Sequence, residues 1–275
     1  MARCKRCGKS KLFLKLNYEG LCAECEEKER QERAEKARQA QAEREAAALR
    51  RLESIPRCEV ALSDEKRKRQ RGYEHPKTSN ITPKGVYDRF VVFDTETTGL
   101  APSRDRILEL AAIRFIDGEP VELFSSLVNP EREIPPEISA LNIITDDMVA
   151  DAPTISQVLP AFETFIGDDL LVAHNLEFDL KFAFHSGSTL LDTKRKYIDT
   201  LEQARKLLKK PRTKYYAEDD YWDYDYESDY DVDDHKLDTL CSYYGIIRPY
   251  EHRAAADALA TGDLFLELVE EKQSR

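Results

Sequence analysis

The sequence predicts an α/β body, with one central mixed sheet flanked by helices, preceded by a small cysteine-bearing module and a charged helix. Three observations carry that prediction. From Phe90 onward, segments rich in β-branched and aromatic residues come first and are followed by alternating strand and helix patterns, the order that packs helices against a mixed sheet. Before that body lie two Cys-x-x-Cys pairs and a long run dominated by Glu, Arg, Lys, Gln and Ala. The chain of 275 residues has room for one sizeable domain plus such attachments.

Charge divides the chain in the same place. Residues 1–89 hold 23 Lys and Arg against 15 Asp and Glu, whereas residues 90–275 hold 19 against 38. The net charge of −11 therefore hides a basic arm on an acidic body. The arm suits a polyanion, and the body needs metal ions or a local basic patch to receive one. The opening MARCKRCGKS has no apolar core of signal-peptide length, and no run reaches membrane-spanning length. The expectation is a cytoplasmic protein with no membrane partner, in which six cysteines serve as ligands or thiols rather than disulfides.

Taken in order, residues 1–25 form the first element. Cys4 and Cys7 are separated from Cys22 and Cys25 by fourteen residues, and four thiolates complete a closed tetrahedral shell for one structural Zn²⁺. Gly8 stands where the tight turn needs a residue without a Cβ. KLFLKLNYEG, between the pairs, alternates like a short hairpin strand. A segment this small needs the metal to hold a fold, so the pattern resembles zinc-ribbon and treble-clef modules. Cys58 and Cys241 are read as ordinary thiols. Residues 24–55 are a solvated helix, with Glu24–Lys28, Glu26–Arg30, Glu29–Arg33 and Glu32–Lys36 as favourable i,i+4 pairs. Apolar bulk is missing until Leu49, so no coiled-coil seam supports it, and Pro56 ends it. Residues 56–89 read as a basic linker, whose KRKRQR cluster (Lys66–Arg71) is a solvated charge run with phosphate contact or a nuclear address as alternatives.

In the body, RFVVFDTET, ILELAAIRFID and VELFSSLVNP read as strands; SALNIITDDMV and TISQVLPAFETFIG as helices; and DLLVAHN as a further strand. LEFDLKFAFHSG is helical, Asp199 caps LEQARKLLKK, HKLDTLCSYYG ends at Gly245, and HRAAADALATGDLFLELVEEKQ is a long terminal helix. Residues 213–234 are an insert. Its stretch 215–234 holds ten acids, six Tyr and the only Trp, and no basic residue. Without a helix or strand period it reads as a disordered, solvated loop. The functional alternative is that it imitates a nucleic-acid strand.

The chemistry starts at FVVFDTETTG. Side chains alternate along a strand, so Asp94 and Glu96 share a face while Thr95 and Thr97 take the other. Two carboxylates at the end of an apolar strand repel each other and lose hydration unless a cation or a shared proton compensates. Asp179, in AHNLEFDL, and Asp257, in HRAAADALA, also sit among apolar or small residues. Four acids with no basic partner close in sequence suit hard divalent cations such as Mg²⁺ or Mn²⁺.

DxExTGL at 94–100, HNxxFD at 174–179 and HxxxxD at 252–257, in that order, resemble the DEDDh 3′→5′ exonucleases of the ribonuclease H-like fold, polymerase III epsilon (proofreading) subunits and their stand-alone relatives above all. The resemblance covers residues 90–272. It implies that Asp94, Glu96 and Asp257 bind two catalytic Mg²⁺ or Mn²⁺ ions, that Asp179 completes the set partly through water, and that His252 is the general base. It further implies that Thr97, Gly99 and Leu100 line the pocket for the terminal nucleotide, and that His174, Asn175 and Phe178 help hold the strand. The implied partner is a nucleic acid with a free 3′ end, single-stranded by preference, and the implied products are nucleoside 5′-monophosphates. An RNA-trimming enzyme is the alternative within the class. A catalytically silent nucleic-acid adaptor is the alternative outside it, and that reading expects an acid or the histidine to be lost. The zinc module or long helix is left to hold a nucleic-acid strand or a protein partner.

Overall fold

The computed structural model describes residues 2–10, 15–17, 19–59, 61–63, 72–216, 221–225 and 229–275. The basic cluster Lys66–Arg71 and most of the KLFLKL stretch lie outside the described residues. The chain packs as two units, Met1–Ala48 and Leu49–Arg275.

In the first unit, Cys4 and Cys7 sit on a turn closed by the Gly8 N–H donating to the Cys4 carbonyl and the Cys4 N–H donating to that of Lys9, both at 3.0 Å. Gly8 has φ of 71°, a left-handed conformation that a side chain would strain. The second pair opens the helix α1 (Ala23–Ser54), which stops two residues before Pro56. Ion pairs Arg6–Glu32 (2.6 Å) and Lys9–Glu24 (2.7 Å) tie the turn to the first part of α1. The middle of the helix is exposed, as its composition predicts.

The second unit is built on β1 (Arg89–Thr97), β2 (Ile107–Ile116), β3 (Glu119–Leu127), β4 (Leu170–Ala173) and β5 (Tyr197–Asp199), in the order β3-β2-β1-β4-β5. The first three run antiparallel, and β4 and β5 continue from β1 in parallel, so the sheet is mixed. Helices α2 (Pro136–Asn142), α3 (Asp146–Val149), α4 (Ile155–Ile166), α5 (Leu176–His185), α6 (Thr200–Leu207), α7 (Leu237–Tyr244) and α8 (Ala254–Ser274) surround it. Alternation along β1 splits the core in two. Phe90 and Val92 pack with Phe265 and Leu268 of α8, while Val91 and Phe93 pack with Phe162 of α4 and Leu180 of α5. Gly262 lets α8 lie close on β2, because a Cβ there would stand 2.2 Å from the Phe115 ring.

Three expectations are corrected. SALNIITDDMV is not one helix: it breaks at Ile143, which has φ of 58° and divides α2 from α3. The stretch read as a linker dresses both sheet edges. Pro56 and Cys58 exchange backbone bonds with Leu123 of β3 at 2.8 and 2.9 Å, Ser79 donates to Tyr197 of β5, and Ile81 is buried. Covering both edges removes the unpaired backbone groups an open sheet would expose. The insert carries a two-stranded ladder, β6 (Arg212–Tyr216) and β7 (Tyr221–Asp225). Its backbone register sets Arg212 opposite Asp225 and Tyr216 opposite Tyr221.

Candidate active site

The carboxylates gather where β1 ends. Asp94 and Glu96 take the same face as Phe90 and Val92, the α8 face, and meet Asp257 from the first turns of α8. Ligand oxygens of these three lie within 4.8 Å of one another. Thr95 points to the opposite face, toward α5, and its Oγ1 donates to Asp179 Oδ1 at 2.6 Å. Asp179 is buried and is not brought into that tight triplet, because its helix packs on the other side of β1. Its charge still acts on Asp94.

Burial raises every one of these acids, and mutual repulsion adds to it at Asp94 and Glu96. Asp94 is pushed well above the usual carboxylate range, first by burial and then by the charges of Asp179, Asp257 and Glu96. Burial, with Asp257 next to it, lifts Glu96 to about 8. Asp179 and Asp257 rise to about 7, again by burial, with the Thr95 hydrogen bonds and the Arg248 guanidinium respectively opposing the rise. Four acids held this far from their ordinary value near 4 form a site that a divalent cation would relieve.

Supports invisible in the motif pattern fix the geometry. Glu109, opposite Glu96 in the β1–β2 register, is buried and accepts from Arg253 Nε and Nη2, both at 3.0 Å, and from the Ala254 N–H at 3.1 Å. This clamp pins the start of α8, one turn before Asp257, to β2. Arg248 donates from Nε to Asp257 Oδ1 at 2.9 Å and also pairs with Asp238. The triplet thus has a basic partner, contrary to the expectation from sequence proximity. Asn142 Nδ2 donates to Glu96 Oε2 at 3.4 Å. A glutamate inside the apolar ILELAAI was the one sequence signal for the clamp; nothing marked Arg248 or Asn142.

His252 precedes α8 with φ of 56°, a conformation uncommon outside glycine, and lines the same cleft as Asp94 and Asp257. That cleft, about 930 Å³, is also lined by Arg205, Lys206, Lys209, Lys210, Lys236 and Arg275, with Asp234 and Asp238 among them. Here is the basic patch that the acidic body required. His174 and Asn175 also line it. The His174 ring spends both nitrogens on protein: Nε2 donates to the His235 carbonyl at 3.1 Å and Nδ1 accepts from Thr200 Oγ1 at 2.9 Å. Burial lowers its pKa to about 4, so it is neutral and leaves no ring nitrogen for a strand. Asn175 is exposed at the left-handed N-cap of α5, and Phe178 packs on Phe182.

Thr97 ends β1 and Gly99 and Leu100 lie in the turn after it, and none of the three lines that cleft. Thr97 Oγ1 donates to the Gly99 carbonyl at 2.7 Å, and Leu100 is 83% exposed. A Cβ at Gly99 would stand 2.5 Å from Asp105 Oδ2, so close packing alone accounts for the glycine.

In the N-terminal unit the sulfurs of Cys4, Cys7, Cys22 and Cys25 lie within 4.8 Å of one another. The Cys22 N–H points at Cys4 Sγ, 3.4 Å away, and backbone donors of this kind lower the Cys4 thiol to about 6. Four converging sulfurs with amide support fit a structural Zn²⁺. Among the described residues no helix is long and apolar enough to cross a membrane.

Comparison with known proteins agrees with this geometry. The exonuclease family described as RNase_T matches residues 91–265. The PolC-type DNA polymerase III of Oceanobacillus iheyensis is 40% identical over 199 residues, 71% of this chain and 12% of that protein. The PolC-type polymerase of Bacillus subtilis is 38% identical over 187 residues, 67% of this chain and 12% of its own. The chain thus spans about 12% of the length of these curated relatives. Among solved structures, E. coli exonuclease I in complex with a dT13 oligonucleotide overlays with a TM-score of 0.51 at 19% identity, covering 68% of this chain and 42% of that one. Exonuclease I of Methylocaldum szegediense gives 0.51 at 21% identity, over 68% and 41%. These two share the fold.

Proposed function

The chain belongs to the RNase_T exonuclease family, and from that premise we propose that it removes nucleotides from the 3′ ends of single-stranded DNA. The observation that carries the reading is the triplet Asp94, Glu96 and Asp257, three mutually repelling carboxylates beside a cleft that several Lys and Arg residues also line. The DNA complex of the exonuclease I neighbour and the PolC-type relatives support DNA as the substrate class.

In this reading Asp94, Glu96 and Asp257 hold two Mg²⁺ or Mn²⁺ ions, with Asp179 completing the charge through water. Such ions lower the pKa of a bound water and neutralise charge on the phosphoryl oxygens and the leaving oxygen. His252, at the mouth of the cleft beside Asp94 and Asp257, takes the proton from the attacking water. The new P–O bond forms as the bond from phosphorus to the preceding 3′ oxygen breaks. The departing 3′ oxygen takes a proton from solvent water, so the products are a nucleoside 5′-monophosphate and a strand shorter by one with a fresh 3′ hydroxyl. Leu100, Thr97 and Gly99 border the terminal nucleotide, Asn175 and Phe178 the strand behind it, and the His174 ring packs without donating to it. The four cysteines hold one Zn²⁺ that orders the N-terminal unit.

The test is digestion of 5′-labelled single-stranded DNA, duplex DNA and RNA of one sequence with Mg²⁺ or Mn²⁺. A ladder shortening from the 3′ end with release of 5′-monophosphates is expected, fastest on single-stranded DNA. Internal cuts, or 3′-monophosphate products, would overturn the mechanism, and faster loss of RNA would move the substrate class.

A further inference from the structure

Of the acidic stretch only its last residue, Asp234, lines the cleft above, yet the stretch departs from the cleft wall and returns to it. α6 ends at Leu207, and Lys209 and Lys210, immediately after it, line the cleft. The chain leaves as β6, returns as β7, and closes back on those same lysines. Asp229 Oδ2 lies 3.2 Å from Lys209 Nζ, and Asp231 Oδ2 accepts from the Lys209 N–H at 2.7 Å. The N–H groups of Asp231 and Val232 donate to the Lys209 carbonyl at 2.9 and 3.1 Å. Val232 is buried in the core beneath, so this return is anchored. Lys210 Nζ stands 5.6 Å from the centroid of the Tyr224 ring on β7, within cation–π range. Both lysines that open the basic wall are therefore partnered by the insert: one by a carboxylate, the other by an aromatic face.

Those are the two kinds of group a nucleic-acid strand presents, anionic phosphates and flat rings. Asp229, Asp231 and Asp234 of this stretch sit at a wall whose lysines would otherwise attract phosphate. We propose that the acidic, tyrosine-rich segment competes with the substrate strand for Lys209 and Lys210, so that a strand must displace Asp229 and Tyr224 before it lies along the basic wall. This rests on the exonuclease reading for the identity of the competing strand; the contact itself does not. The consequence is selectivity, since short or weakly held polyanions fail to displace the segment while a strand engaged at its 3′ end does.

The experiment measures anisotropy of 5′-fluorescein dT20 in an Asp94→Ala background, so that the strand is not consumed, with inorganic polyphosphate as a sequence-free competitor. One variant bridges Arg212 to Asp225, neighbours in the ladder, by Gly-Ser-Gly in place of residues 213–224. It also carries Asp229→Asn, so that both lysines are freed; a second variant, Tyr224→Leu with Asp229→Asn, frees both and keeps the chain length. Freeing two phosphate contacts should steepen the slope of log affinity against log salt by about 1.4, the single-strand value for two contacts. The gain, about tenfold at 50 mM salt, should then shrink roughly sevenfold by 200 mM. Tighter binding by both variants supports the competition. Unchanged affinity and slope in both overturns it, and so does a gain confined to the shortened variant, which would make the effect steric. If polyphosphate binding tightens in both variants while the wild-type chain cuts no DNA or RNA, the competition stands and the exonuclease reading falls.

Discussion

Two clusters of metal-ligating side chains, one in each unit, are equally tight and differently made. The four sulfurs of the N-terminal unit and the three carboxylates of the second unit each converge within 4.8 Å. The sulfurs come from two turns within 22 residues, and among the described residues the apolar side chains packed with them are Leu16 and Leu21. The carboxylates come from β1 and α8, on a sheet with buried clusters on both faces. The difference teaches where folding energy resides. A cluster without a core depends on its metal for the fold, whereas a cluster mounted on a core keeps its fold and needs the metal for chemistry.

The strongest way to break that comparison is at the carboxylates. Asp94→Ala or Asp257→Ala should remove exonuclease activity while leaving the melting temperature unchanged or raised, since each deletes one member of a repelling set. His252→Ala should lower kcat by about 10²–10⁴-fold, the usual worth of a general base. Steady-state kinetics on labelled oligonucleotide, with thermal melts of the same preparations, check both halves. Unfolding of Asp94→Ala protein would show that the carboxylates hold the fold, and the contrast would collapse.

How much of this was legible follows the same division. The cysteine module declares itself through local spacing, and so does the pairing of Asp94 with Glu96, because the period of two along a strand fixes which residues share a face. Asp257 and Asp179 stood out as acids among apolar or small residues, and motif resemblance gave them their roles. What sequence reading missed is long-range: Glu109 meets Arg253 across 144 positions, and nothing in either neighbourhood names the other. The edge contacts of Pro56, Cys58 and Ser79 were hidden because edge pairing needs only backbone and leaves no side-chain period. β5, three residues long, is too short to show alternation. The β6–β7 ladder was hidden by composition, since charge density argued for a loop where the backbone pairs as strands.

The Glu109–Arg253 clamp gives the next largest effect, and it tests whether the core-mounted site is positioned by more than its ligands. Arg253→Leu leaves a buried carboxylate with only the Ala254 N–H, at a cost of about 3 kcal/mol. Asp257 sits one turn along, so activity should fall by roughly 10²-fold through misplacement. Because Arg253 touches no reacting atom in this arrangement, the loss should appear in kcat more than KM and be partly rescued by Arg253→Lys. An equal loss in the lysine variant would point instead to direct substrate contact.

A smaller effect is thermodynamic. Glu96 at about 8, with Asp179 and Asp257 at about 7, binds protons more tightly in the folded state than in the unfolded chain, where carboxylates titrate near 4. Their contribution to stability is therefore complete below about pH 4 and is lost as pH rises through 7 to 8. A divalent cation reverses the trend by stabilising the ionised form. With chelator, the melting temperature of the second unit should fall between pH 5 and 8. Mn²⁺ should restore about 5 °C at pH 8 and almost nothing at pH 5. Equal stabilisation at both pH values would mean that the ion binds elsewhere.

The smallest expected effect falls on the second unit when the first is destroyed. Purified protein should contain about one Zn²⁺ per chain, as a closed four-cysteine shell requires. Cys22→Ser removes one ligand and also changes the residue whose N–H supports Cys4, so the metal should be lost and residues 1–25 should become sensitive to protease. α1 should persist from Leu49 onward, because Leu52 and Ile55 pack on the core of the second unit. None of the residues that shape the carboxylate site comes from the first unit, so kcat on a short single-stranded oligonucleotide should stay within about twofold of wild type, a change below ~0.5 kcal/mol. KM for long strands is the sensitive partner measurement. A rise there with unchanged kcat would assign the zinc unit to strand holding, while a fall in kcat on the short strand would show that the two centres are coupled and that the contrast between them fails.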